Sequence, residues 1–313
     1  MSIEEVLSRW MLGELDAATP LPSHRQGALE VRMRNGGVHV LKRRRRGTAP
    51  AVEHRMLRLL HDVGLPVAVP LATPAGATWL EHDDATYELL PRLPGASGNV
   101  AREAAGGSEG ARAWAARLGA TIARVHQAMA LLPANVAPMQ LDALASLEGW
   151  VAPALERHAD ALDLPRLRAL LAQTAAELEA ASPGLPVQAI HRDLHPDNLL
   201  FEADALTGVL DFELACTGPR LFDLAYCGTS LLLADWPART RRAQWPSLFA
   251  AMVDGCAAAG GLLPAERAAL FPMLCLIELM FIAYAADSAD TDVALANQAA
   301  LCWLADNRGL LGL

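Results

Sequence analysis

The sequence predicts an α+β protein, with a small antiparallel sheet before Leu93 and a larger, mainly helical part after it. Three observations carry this reading. Short runs around hairpin turns are confined to the first part, apolar spacing of 3.6 residues dominates the second, and one non-helical island, residues 187–211, interrupts the helices. The expected division is therefore residues 1–93 and 94–313.

Residues 30–34 and 38–43 flank Asn35-Gly36-Gly37, and Asn-Gly supplies the positive φ angles of a tight hairpin. From 50 to 63, Val52, Met56, Leu59, Leu60 and Val63 recur at helical spacing, and Gly64 is placed to end that helix. Residues 78–80 and 86–90 surround the turn-like His82-Asp83-Asp84 and read as a further strand pair of the same sheet. The Gly, Ser and Ala of residues 96–110 predict a mobile surface connection. Helices are expected over 111–130, 141–162, 164–181, 246–259 and 265–286, with a short hairpin at 199–201 and 208–210 inside the island.

Composition narrows the class. Hydrophobic residues at 53% against charged residues at 19% exclude a disordered scaffold. A formal charge of -9 opposes a phosphate backbone, so nucleic acid is not an expected partner and a cationic small molecule suits the chain better. Five cysteines with no Cys-x-x-Cys pair indicate neither a disulfide framework nor a zinc knuckle. The acidic start, Ile3-Glu4-Glu5, does not resemble a secretory leader, and a cytoplasmic location is expected. Residues 270–286 are the most apolar stretch, but Glu278 in their middle favours a buried core helix over a membrane span.

The chemistry concentrates in Ile190-His191-Arg192-Asp193-Leu194-His195-Pro196-Asp197-Asn198, followed after the short hairpin by Asp211-Phe212-Glu213. Phosphoryl transfer needs a divalent cation held by hard oxygen ligands and a carboxylate aimed at the attacking hydroxyl. Asn198 and Asp211 suit the first task and Asp193 the second. A His-x-Asp-x-His reading, with His191, Asp193 and His195 as ligands of a metal-dependent hydrolase, stands beside this one but leaves Asn198 and Asp211 unexplained.

This pattern resembles the aminoglycoside phosphotransferase and choline kinase family, relatives of the protein kinases. The resemblance implies a protein-kinase-like two-lobed fold with the active site in the cleft between lobes, ATP as donor, Mg²⁺ as metal, and a small-molecule hydroxyl as acceptor. It assigns Asp193 as catalytic and Asn198 and Asp211 as metal ligands. It extends to Gly218-Pro219-Arg220-Leu221-Phe222-Asp223, where Asp223 would brace the catalytic loop with His191 buried beside it, and to residues 118–126 as the preceding helix.

In the first part it implies a strand lysine reaching the nucleotide phosphates and paired with a helix glutamate. Lys42 is the only lysine among 26 lysines and arginines, and Glu53 opens the next helix as its expected partner. Arg43 to Arg46 read as a solvated face. Tyr87-Glu88-Leu89-Leu90-Pro91 resembles the hinge whose backbone groups, at Glu88 and Leu90, would bind adenine. The phosphate-covering loop, Ser23-His24-Arg25-Gln26-Gly27, has one glycine where protein kinases have three.

The acceptors the family admits include aminoglycosides, amino alcohols, sugars and homoserine. Acids in the late helical region, Glu278 and Asp287 foremost with Asp290 and Asp292, predict an acceptor pocket for an amine-bearing alcohol. A kinase-like binding module without catalysis is the remaining alternative.

Overall fold

Alternation along Val38–Arg45 places Val40, Lys42 and Arg44 on one side of a strand, and the strands on either side pair with it. The computed structural model describes residues 3–21, 27–45, 50–137 and 139–311. It divides into two compact units, Met1–Gly95 with Leu200–Glu213, and Ala96–Leu199 with Leu214–Leu313. The first division falls at Gly95, and the hairpin that the sequence reading left with the C-terminal part belongs by its contacts to the first unit.

In the first unit, α1 (Ile3–Leu7) precedes strands β1 (Leu15–Pro20), β2 (Ala28–Met33) and β3 (Val38–Arg45), helix α2 (Ala51–Asp62), and strands β4 (Leu80–His82) and β5 (Ala85–Pro91). The sheet order is β1-β2-β3-β5-β4, every pair antiparallel. The β2–β3 turn is set by Asn35, whose Oδ1 accepts the Gly37 N–H at 3.0 Å, while Gly36 takes φ of 89°. Val6, Leu7 and Trp10 pack on Val31, Leu41 and Leu89 to form the core on one sheet face. Burial of these side chains from water stabilises each by roughly 1.5–3 kcal/mol. The strands Leu199–Glu202 and Ala205–Val209 form the separate hairpin.

The second unit is helical: α3 (Gly98–Ala105), α4 (Gly107–Met129), α5 (Ala143–Ser146), α6 (Ala152–Arg157), α7 (Leu164–Ala181), α8 (Leu221–Ala234), α9 (Arg239–Ala258), α10 (Pro264–Asp287) and α11 (Thr291–Asp306). The connection expected over 96–110 is instead largely α3 and the first turn of α4, because its alanines favour helix and two of its four glycines, Gly106 and Gly107, fall at the break. The helix expected over 141–162 is broken by a π-helical stretch, Leu147–Val151. Helix α9 starts before Pro246 and carries it inside. Helices α4 and α9 cross closely, since a Cβ on Gly119 would meet the Met252 carbonyl oxygen and one on Gly255 the Ala116 carbonyl oxygen.

Helix α10 is long and apolar enough to cross a membrane by length and composition, yet 83% of its most apolar window is packed inside the protein. It lies against α6, α7, α8 and α11, which explains its apolar character all round.

Candidate active site

In the first unit the strand period decides which side chains meet. Lys42 Nζ bonds Asp211 Oδ1 at 3.0 Å, the aspartate lying just beyond the hairpin strand Ala205–Val209. Asp211 has φ of 61°, in the left-handed region that non-glycine residues rarely occupy.

The expected partnership of Lys42 with Glu53 is not the one formed. Arg44, two residues along on the same side, takes Glu53 at 2.8 Å and Glu88 at 2.6 Å, and Glu88 also bonds His54 Nε2 at 2.5 Å. A planar guanidinium serves two carboxylates at once, which an ammonium does less well. The solvated reading of the arginine run is thus corrected at Arg44, whose side chain is 8% exposed, and Arg46 lies outside the described residues. Burial opposes its charge, but Glu53 and Glu88 raise the Arg44 pKa above its ordinary value. Burial pushes the Glu53 carboxyl up despite Arg44. Burial pushes Glu88 up too, but the His54 hydrogen bond and the Arg44 charge outweigh it and its pKa falls.

The hinge reading also needs correction. Leu89 gives its carbonyl to the Leu71 N–H, away from β3, so by strand alternation the backbone groups of Glu88 and Leu90 face β3, where they sit opposite Lys42 and Val40. The ladder uses the groups assigned to adenine. In the phosphate-covering loop, Ser23 to Gln26 lie outside the described residues.

In the second unit the strand Val187–Ile190 pairs antiparallel with Cys216–Pro219 and delivers the loop that follows it. Asp223, fully buried near the start of α8, accepts the N–H of His191 at 3.0 Å, the N–H of Arg192 at 2.7 Å and His126 Nε2 at 3.0 Å. These bonds hold Arg192 at φ of 68°, a second left-handed residue. His191 is buried, and its Nδ1 accepts the Asp193 N–H at 3.3 Å. His126, on α4, lies in the stretch read as the preceding helix.

Asn198 Nδ2 donates to the Asp193 carbonyl at 2.8 Å and to its Oδ2 at 3.2 Å. With the amide nitrogen so used, the carbonyl oxygen is the atom of Asn198 left for a hard cation. Asp193 Oδ1 accepts the Tyr226 hydroxyl at 2.5 Å, a partner the sequence reading missed. Its signal was positional: Tyr226 follows Asp223 by one helical turn and shares its side of α8. Among the described residues no group of three or more His, Cys, Asp or Glu is arranged to hold a metal ion, and the His191 ring is engaged with the loop backbone, which disfavours the hydrolase reading.

The acceptor-pocket reading fails at both named acids. Glu278 is 0% exposed in the middle of α10, and burial raises its pKa well above the usual carboxylate range. A carboxyl enclosed by packed helices cannot reach an amine. Asp287 is exposed, but Arg157 and His158 take its oxygens at 2.6 and 2.9 Å. Asp290 caps α11 by accepting the Val293 N–H.

The structure therefore gathers Lys42 with Asp211 in one unit, and Asp193, Asn198, His191 and Asp223 in the other. A five-stranded antiparallel sheet in one unit and a mainly helical second unit define a protein-kinase-like fold. The profile of the Phosphotransferase enzyme family matches residues 26–258, and the chain belongs to that family.

The chain is 40% identical over 115 residues to the homoserine kinase of Rhodospirillum rubrum, covering 36% of this chain and 34% of that protein. It is 32% identical over 209 residues to the homoserine kinase of Xanthobacter autotrophicus, covering 66% and 59%. The matches thus span 34% to 59% of these relatives' length. In fold it resembles an aminoglycoside phosphotransferase from Alicyclobacillus acidocaldarius, with TM-score 0.67, 20% identity and coverage of 100% of this chain and 97% of that one. It also resembles the amicoumacin kinase hAmiN in complex with AMP-PNP, Ca²⁺ and Ami, with TM-score 0.65, 16% identity and coverage of 96% and 93%.

Proposed function

We propose that this chain is an ATP- and Mg²⁺-dependent O-phosphotransferase whose acceptor is a small amino alcohol, homoserine being the first candidate. The observation that carries the chemistry is the Asp193 carboxylate, half-buried with one oxygen bonded to Asn198 and the other to Tyr226. Such a group is oriented, as the acceptor of a hydroxyl proton must be. Matches of 32–40% identity to homoserine kinases support the acceptor class. Aminoglycosides form the second reading, supported by likeness of fold.

In the reaction the acceptor oxygen bonds to the γ-phosphorus as the bridging bond to the β-phosphate breaks, ADP leaves, and the hydroxyl proton passes to Asp193. Lys42 offsets negative charge on the phosphates. Mg²⁺, which Asn198 Oδ1 and the Asp211 carboxylate would hold, supplies further charge neutralisation there. Backbone contacts to adenine are proposed beyond Pro91, where the pairing with β3 ends. A reaction that consumes ATP, in a chain whose five cysteines are free thiols, fits the reducing cytoplasm.

The test is ADP release by the purified chain with homoserine, choline, ethanolamine, sugars and aminoglycosides in turn. Homoserine-dependent release that vanishes in Asp193→Asn and Asp211→Ala, both still folded by circular dichroism, is expected. Nucleotide binding without turnover on any acceptor would favour the silent binding module, and zinc-dependent hydrolysis would favour the hydrolase.

A further inference from the structure

Helix α8 grips the reactive loop twice. Asp223 fixes its backbone through the His191 and Arg192 N–H groups, and Tyr226 reaches its reactive side chain at 2.5 Å from Asp193 Oδ1. The tyrosine ring has little freedom of its own. It stacks on Phe222 with centroids 6.0 Å apart and planes 16° apart, and it meets Phe281 of α10 at 5.8 Å and the His195 ring at 6.3 Å. The phenol is thus aimed by packing before it bonds, which is what preorganisation requires.

It also stays a donor. Burial first, and then the Asp193 charge, raise the Tyr226 pKa well above its ordinary value, so the hydroxyl keeps its proton throughout the working range. A neutral donor leaves the negative charge on the carboxylate. Two oxygens offer about four acceptor positions, so with Tyr226 on one and Asn198 on the other, room remains for the substrate hydroxyl.

We propose that Tyr226 is a positioning residue of phosphotransfer, holding the Asp193 carboxylate in the rotamer that presents an oxygen to the acceptor hydroxyl. This rests on the role given to Asp193 above. Without Tyr226 the Asp193 carboxylate would be held by Asn198 on one oxygen and face the His195 Nε2, 3.8 Å away, with the other. It could then rotate about its Cα–Cβ bond, and the fraction of time spent aimed at substrate would fall.

Two measurements separate this proposal from the functional reading. The first needs no activity. Labelling with tyrosine carrying ¹³C at Cζ gives a signal for each of the 3 tyrosines, and Tyr87→Phe and Tyr284→Phe identify that of Tyr226 by elimination. It is expected to move in Asp193→Asn, and an unmoved signal overturns the contact. The second is kinetic. Tyr226→Phe keeps the ring stack, and loss of one hydrogen bond to a charged group is expected to lower kcat about ten- to hundred-fold, with KM for ATP and acceptor changed by less than about two-fold. An unchanged kcat in a wild type that turns over sinks the positioning role alone. A wild type silent on every acceptor sinks the kinase reading while the ¹³C comparison still decides whether the contact exists.

Discussion

Arg44 Nη2 stands 2.6 Å from Glu88 Oε1 in the interior of the first unit, with the arginine side chain 8% exposed and the glutamate 1%. The same nitrogen reaches Glu53 Oε2 at 2.8 Å. Strand β3, strand β5 and helix α2 are thereby tied through one cation, and His54 closes the cluster by bonding both Glu88 and Thr78. Lys42, spared that structural duty, pairs with Asp211 instead.

Removing the cation from this cluster is expected to be costly. In Arg44→Met, Glu53 loses its cationic partner and Glu88 keeps only His54, and breaking a buried ion pair by deleting one partner typically costs about 3–5 kcal/mol. Urea unfolding of the full chain followed by circular dichroism measures this. A loss below about 1 kcal/mol would mean that the carboxylates find other partners or water.

Lys42 is expected to behave in the opposite way. Its pair with Asp211 is partly open to solvent, at 24% and 40% exposure, and such pairs contribute about 0–1 kcal/mol. Lys42→Met should therefore leave the urea midpoint almost unchanged while kcat/KM for ATP falls by about 10²–10³-fold, as when one preorganised charge donor is removed. Lys42→Arg should not restore it, since a planar fork does not reproduce a compact ammonium. Activity that survives Lys42→Met within about three-fold removes the lysine from the reaction.

The contrast between these two residues shows where the sequence was legible. Lys42 stood out by being unique, and the Asp193, Asn198 and Asp211 spacing by its resemblance to a known loop. Both signals are local. Arg44 was hidden because a run of four arginines reads as one exposed face, and only the pairing of β3 with β5 and the approach of α2 single out one of them. Helix α8 escaped because it is buried over most of its surface, Leu221, Phe222, Leu224, Ala225 and Cys227 included, so no polar face marks its period. Strand β1 escaped for the converse reason, as an edge strand whose residues are nearly all exposed. Glu278 and Asp287 were misjudged because sequence shows an acid but not its surroundings: one is enclosed by apolar helices, the other claimed by Arg157 and His158.

Glu278 gives the pH-dependent prediction. Neither of its carboxylate oxygens has a hydrogen-bond partner among the described residues, and burial raises its pKa well above the ordinary 4.5. The unfolded chain releases this proton as pH passes the ordinary value, while the folded chain keeps it. The folded state therefore binds more protons above that point, and its stability falls as pH rises, by about 1.4 kcal/mol per unit from this group, until the folded pKa is reached. Below the ordinary value both states are protonated and only the cost of burying an unbonded neutral carboxyl remains, about 1–3 kcal/mol. Glu278→Met has similar bulk and no proton to lose, so it should be the more stable protein at every pH. Its advantage should widen as pH is raised above 4.5, until the folded pKa is reached. Urea unfolding of both proteins across that range decides the matter, because two parallel stability curves would mean that Glu278 ionises as readily in the folded chain as in the unfolded one.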